Sequence, residues 1–133
     1  MFARLAVICA LLFPAVVLAK EPIATTWTPA TVSLEIRDPD GTVKKFTNIP
    51  WTLGITVLQA MQSVDGLKFT GEWYYSFGDW LIVSLDGFPA DSGSNWTFCV
   101  NGQPAGLGVG SYVLGPKAAV TWVCGSAYPP NCN

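Results

Sequence analysis

Thr56-Val57-Leu58-Gln59-Ala60-Met61-Gln62-Ser63-Val64-Asp65-Gly66 is the stretch that sets the architecture of this chain. Here Val57, Leu58, Met61 and Val64 fall at helical spacing. Thr56 and Gln59 have the spacing of a capping box, in which the Thr hydroxyl accepts from the backbone N–H of Gln59 and the Gln side chain accepts from that of Thr56. Gly66 tolerates the left-handed conformation and closes a helix of two to three turns. No other segment reads as a helix.

Upstream of this helix the period is two. Residues 31–37 put Val32, Leu34 and Ile36 on one face and Ser33, Glu35 and Arg37 on the other, the pattern of a half-buried strand. Asp38-Pro39-Asp40-Gly41 supplies a turn, since Pro presets its own φ and Gly accepts a positive one. Residues 42–49 then complete a hairpin. Downstream, residues 68–75, 80–85, 96–101 and 118–124 are rich in β-branched and aromatic side chains. They are separated by turns at Ser76-Phe77-Gly78-Asp79, Asp86-Gly87-Phe88-Pro89, Asn101-Gly102-Gln103-Pro104 and Leu114-Gly115-Pro116. Asn101-Gly102 is a strong hairpin signal. Two strands, one helix and three or four more strands predict an α+β domain with the helix on one face of a mixed sheet, an order that resembles a β-grasp.

The chain has 133 residues, of which 50% are hydrophobic and 12% charged, against about 25% charged in ordinary soluble domains. Part of the excess belongs to residues 1–19, which carry Arg4, an apolar run from Leu5 to Leu18 broken by Pro14, and small residues before a cut after Ala19. That is the pattern of a secretory signal, and the run is shorter than the roughly 20 residues a membrane span needs. Residues 20–30 read as a leader, 31–125 as the folded domain and 126–133 as a tail tied down by a disulfide. The expected location is secreted or periplasmic, with no transmembrane segment in the mature chain.

After the cut, six Lys and Arg stand against nine Asp and Glu, and there is no basic run. A nucleic-acid partner is therefore not expected, because phosphate neutralisation needs clustered cations. The chain has no histidine, which removes Ser-His-Asp triads, Cys-His pairs and His-ligated zinc. No GxSxG elbow, P-loop or HExxH occurs. Gly106-Leu107-Gly108-Val109-Gly110 continues to Ser111 with no helix pattern, so it is not a dinucleotide loop. Asp38-Pro39-Asp40-Gly41 lacks the Gly and Glu that an EF-hand needs further on, where Val43 and Ile49 stand. The carboxylates Glu72, Asp79, Asp86 and Asp91 fall in turns with no pattern linking them, and Asn95-Trp96-Thr97 is a formal glycosylation sequon. The expectation is a protein that is not an enzyme and holds no cofactor and no metal.

Cys9 leaves with the signal, so Cys99, Cys124 and Cys132 remain. One disulfide and one odd thiol is the simplest count in an oxidising compartment. Cys124 with Cys132 encloses a turn-rich stretch, and Cys99 with either of them is the alternative; the sequence does not choose. The odd cysteine is read as a small buried apolar side chain.

Aromatic residues are the other conspicuous feature. Trp73-Tyr74-Tyr75-Ser76-Phe77-Gly78-Asp79-Trp80 packs five of them into eight positions. Neighbours in a strand point to opposite faces, so at least two must face away from the helix. They form either a ligand surface or a patch covered by the leader, Tyr128 or the tail.

Residues 51–124 resemble a DUF4430 domain, the module also found as the C-terminal domain of the transcobalamin and intrinsic factor family. The features that carry the resemblance are, in order, the helix with Val57-Leu58-Gln59-Ala60-Met61, the turn Ser76-Phe77-Gly78, Leu81-Ile82-Val83-Ser84-Leu85-Asp86-Gly87, Asn95-Trp96-Thr97-Phe98-Cys99-Val100-Asn101-Gly102, and Gly108-Val109-Gly110-Ser111-Tyr112. The family enters its last strand through Asp-Gly, where this chain has Gly115-Pro116-Lys117, and the helical domain of the vitamin carriers has no counterpart in these 133 residues. The resemblance implies a secreted module that caps a corrinoid such as cobalamin, or another flat, partly apolar ligand, with Phe77, Trp96, Leu107, Gly108 and Tyr112 on the ligand side. Trp80, from the aromatic run, joins that set. The alternative is a surface module that docks a protein or carbohydrate partner through its aromatic strands.

Overall fold

The computed structural model describes residues 14–15 and 27–133. Nearly all of the expected signal segment, and the leader up to residue 26, lie outside the described residues. The elements are β1 (Thr31–Arg37), β2 (Val43–Pro50), α1 (Val57–Gln62), β3 (Phe69–Tyr74), β4 (Asp79–Leu85), β5 (Phe88–Pro89), β6 (Asn95–Val100), β7 (Gln103–Pro104) and β8 (Ala119–Gly125). Among the described residues no helix is long and apolar enough to cross a membrane.

The α+β reading holds, but the strands form two sheets where one mixed sheet was expected. One sheet has the order β2-β1-β8-β6-β7 and the other β3-β4-β5. β1 and β8 run parallel, and every other pair is antiparallel. The division follows from two hairpins that stop short. Asp86-Gly87 and Asn101-Gly102 have positive φ at both central positions, the requirement of the tightest hairpin turns. They fold β5 back onto β4 and β7 onto β6, and each returning strand is two residues long. β4 and β6 therefore each keep a length of edge with no strand partner, and the sheets meet through side chains. The indole of Trp96 lies between them, 2% exposed, and its Nε1–H donates to the carbonyl of Phe88 at 2.8 Å.

One core serves both sheets. The inward residues of β1, Val32, Leu34 and Ile36, pack with Trp96, Phe98, Val120 and Trp122 of the large sheet, Ile82 and Leu85 of the small one, and Val57, Ala60 and Met61 of α1. The helix is shorter than the spacing predicts. The Ser63 N–H caps the carbonyls of Gln59 and Ala60 while its hydroxyl bonds the Ala60 carbonyl at 2.7 Å, which ends the helix there. Val64 follows outside it, and Gly66, at φ +79°, turns the chain toward β3 rather than closing the helix.

A carboxyl pair joins two turns at the far end of the large sheet. Asp38 is 7% exposed, and its Oδ1 and Asp86 Oδ2 are both buried without a hydrogen-bond donor, while Asp86 Oδ1 accepts from Lys44 Nζ at 2.6 Å. A single proton shared between the two carboxyls would satisfy both oxygens. Burial, together with the neighbouring Asp86, pushes Asp38 up to about 6. Asp86 is held low, its own burial being outweighed by the bonds from Asp38 and Lys44. The stability contributed by Asp38 is therefore complete below its ordinary value of 3.8 and is lost as pH rises through about 6. Asn at position 38 keeps a donor toward Asp86 at every pH. In urea titrations the wild type is expected to lose stability between about pH 4 and about pH 6.5, and Asp38→Asn to lose much less. Parallel profiles for the two proteins would contradict the shared proton.

Candidate functional site

The open end between the two sheets is a cleft of about 340 Å³. Its walls are Phe77, Trp80, Leu81 and Ile82 from the β3–β4 turn and β4, facing Trp96, Thr97 and Phe98 of β6. The segment from Ala105 to Val109 closes one side, Tyr128 and Pro130 of the tail close another, and Trp122 lies at the base. Among the described residues no charged side chain lines it. Five of the six residues singled out from the sequence, Phe77, Trp80, Trp96, Leu107 and Gly108, meet there. Phe77, Trp80 and Leu107 are 51%, 41% and 58% exposed and form the accessible rim, whereas Trp96 is a buried wall.

Tyr112 does not join them. It packs edge-on against Phe98, ring centroids 5.9 Å apart, and its carbonyl accepts from the Val57 N–H at 3.0 Å. The Val109 carbonyl accepts from the Leu58 N–H at 2.9 Å. Together with Thr56 and Gln59, which complete the capping box, these carbonyls satisfy the free N–H groups at the start of α1. Tyr112 thus helps to fix the loop beside the cleft and takes no part in its lining.

The residue that sequence reasoning missed is Asp79. In the sequence it is one of several turn carboxylates, yet it is 3% exposed and holds the glycine loop against β4. Its Oδ1 accepts from the N–H groups of Trp80 at 2.7 Å and Gly110 at 2.9 Å. Burial opposes its charge, but the Ser111 hydroxyl and the amides of Trp80, Gly110 and Ser111 outweigh it and hold the carboxyl below its usual range. Gly108 and Gly110 have no Cβ because the carboxylate occupies that space: a Cβ on either would come within 2.6 Å of an Asp79 oxygen. Two glycines two positions apart were the available signal, since such a pair marks a close approach on one side of the chain.

The tail wall is secured by a disulfide between Cys99 and Cys132, one of the pairings the sequence left open. Cys124, the first alternative for Cys132, is the free thiol. It packs half-buried against the core, and burial, with the charge of Asp91, raises its pKa. This fits the reading of it as an unreactive apolar side chain. Among the described residues nothing covers the aromatic run: Trp73, Tyr74 and Tyr75 are 43%, 50% and 90% exposed, and the leader, a candidate cover, lies, up to residue 26, outside the described residues. The tail contributes one side of the cleft rather than a lid.

The family model described as "Domain of unknown function (DUF4430)" matches residues 54–126. No curated protein matches the chain. Among solved structures, a protein from Ruminococcus gnavus ATCC 29149 named as a candidate metal binder superposes with a TM-score of 0.61 at 13% identity, over 74% of this chain and 99% of that one. Haptocorrin in complex with Cbi superposes with a TM-score of 0.58 at 24% identity, over 71% of this chain and 25% of its own. The chain thus corresponds to about a quarter of haptocorrin. At these identities the likeness is one of fold. Among the described residues no three or more Cys, Asp or Glu side chains are gathered as metal ligands.

Proposed function

The chain belongs to the DUF4430 family, and on that premise we propose that it is a secreted, non-catalytic binding module whose cleft holds a flat, largely apolar ligand, with a corrinoid as the ligand of first choice. The observation that carries this reading is the convergence of Phe77, Trp80, Trp96, Leu107 and Gly108 on one uncharged opening. Aromatic and aliphatic walls around a few polar groups are the common make-up of small-molecule sites. The rim rings and Leu107 supply apolar area for one face of a macrocycle, and the loop backbone at Gly106 and Gly108 supplies polar groups beside it. Sites of this kind measure about 300–1,000 Å³, so a cleft of about 340 Å³ receives a face or an edge of a corrinoid rather than enclosing it. Haptocorrin, whose structure contains Cbi, shares the fold over a quarter of its length, which supports trying corrinoids first. Secretion is supported by the signal-like residues 1–19 and by the disulfide.

Titration with cyanocobalamin, followed by tryptophan fluorescence and corrin absorbance, is expected to give saturable quenching. Phe77→Ala is expected to weaken binding about tenfold, the scale of one aromatic contact plus its buried area. No spectral change up to about millimolar ligand would end the corrinoid version.

A further inference from the structure

A second groove lies across Trp80 from the cleft, and its chemistry is different. It measures about 360 Å³ and is lined by Trp73 and Trp80, by Thr56, Leu58, Gln59 and Gln62 around the start of α1, and by Ser111. Trp73 and Trp80 are a cross-strand pair with ring centroids 5.6 Å apart and planes at 77°, so they form a right-angled corner. Both are more than 40% exposed. Gln59 and Gln62, three apart, lie on one face of the helix. The Gln59 carbonyl oxygen is engaged by the Thr56 N–H at 3.0 Å, which fixes the side chain and leaves its amide N–H groups as donors. The cleft has almost no such polar equipment.

We infer that this groove is a carbohydrate site for one ring of a neutral, soluble glycan chain. A pyranose with equatorial hydroxyls has an apolar C–H face that stacks on an indole and a rim of hydroxyls that exchange hydrogen bonds with planar amides and Ser or Thr hydroxyls. The corner offers a ring to stack on, a second to close one edge, and the two glutamines, Thr56 and Ser111 along the rim. Two rings at right angles do not form a platform for a flat crystalline surface, so the site takes a single chain. Among the described residues no Lys or Arg lines the groove, and Asp79, ionised and part of its lining, disfavours acidic sugars. This inference does not depend on what fills the cleft.

The test is calorimetric and fluorimetric titration with cellohexaose and chitohexaose. At least one is expected to bind saturably, while a hexagalacturonate does not. Trp73→Ala, whose ring lines the groove and not the cleft, is expected to weaken binding at least tenfold, about the effect of one lost stacking contact. Leu107→Ala, which alters only the cleft rim, leaves it unchanged. Gln62→Ala, on the exposed helix face, is expected to give a smaller loss and serves as the second variant if Trp73→Ala unfolds. Absence of saturable binding by both hexasaccharides up to about 10 mM overturns the inference. So does undiminished binding by folded Trp73→Ala, or loss on Leu107→Ala alone, which would put the sugar in the cleft.

Discussion

Gly108→Ala is expected to destabilise the domain by about 3 kcal/mol, the upper part of the range for overpacking a closed site, and to weaken any ligand held in the cleft. The added Cβ would lie 2.5 Å from Asp79 Oδ2, 2.6 Å from its Cγ and 2.8 Å from its Cβ. Asp79 is no flexible side chain that can swing away. It is buried, and its Oδ1 is fixed by the N–H groups of Trp80 and Gly110. Hydrogen bonds to a charged group contribute about 1.5–3 kcal/mol each, so relief by moving the carboxylate sacrifices about as much as the clash. Relief by moving the loop carries Leu107 away from the rim and strains the Val109 and Tyr112 carbonyls that cap α1. Gly106→Ala is the control, because nothing lies within 4 Å of a Cβ there. Urea unfolding should separate the two variants, and equal stabilities would refute the packing argument. A double-mutant cycle sharpens it. Asp79→Ala removes the group that Gly108 makes room for, so the two losses should be markedly less than additive.

That carboxylate also marks where the sequence stops being informative. Residues 31–37 alternate in the structure as they do in the sequence, with Val32, Leu34 and Ile36 at 3% exposure or less, because side-chain alternation along a strand is a local property. The capping box at Thr56, the turn at Asp86-Gly87 and the hairpin at Asn101-Gly102 are local in the same sense, and they form as read. What was not legible depends on partners distant in the chain. Asp79 acts on Gly110, thirty-one residues away. The split into two sheets depends on how far β5 and β7 run before leaving their partners, which no period encodes. Tyr112 carries the aromatic signature of a ligand contact, but the same ring serves equally well as packing against Phe98. Only the direction in which the loop is anchored decides between them, and that is set by Asp79 and the helix N–H groups.

Removing the Cys99–Cys132 disulfide by Cys132→Ala is expected to be the most damaging change outside the core. The bridge spans 33 positions, and in the chain-entropy account a closed loop of that length restricts the unfolded state by about 3.7 kcal/mol. For a domain of this size that corresponds to a fall in thermal midpoint of roughly 15 °C or more. Reductant added to the wild type should produce the same shift, whereas Cys124→Ser should leave the midpoint nearly unchanged because Cys124 is not bridged. A loss under about 1 kcal/mol would mean that the tail is held chiefly by other contacts, of which the bond from Arg37 Nη2 to the Cys132 carbonyl, 3.3 Å, is long and weak. The consequence for binding follows from where the tail runs. Tyr128 and Pro130 form one side of the cleft, and they lie only four and two residues before Cys132. With the bridge open the tail is joined covalently to the domain only through β8, and that side of the cleft is held far less firmly. A cleft ligand should therefore lose affinity on reduction even where the two sheets remain folded, while a sugar in the Trp73 groove, which has no tail residue in its lining, should keep it. Titrating both probes with and without reductant, at a temperature below the lowered midpoint, separates loss of the cleft wall from loss of the fold.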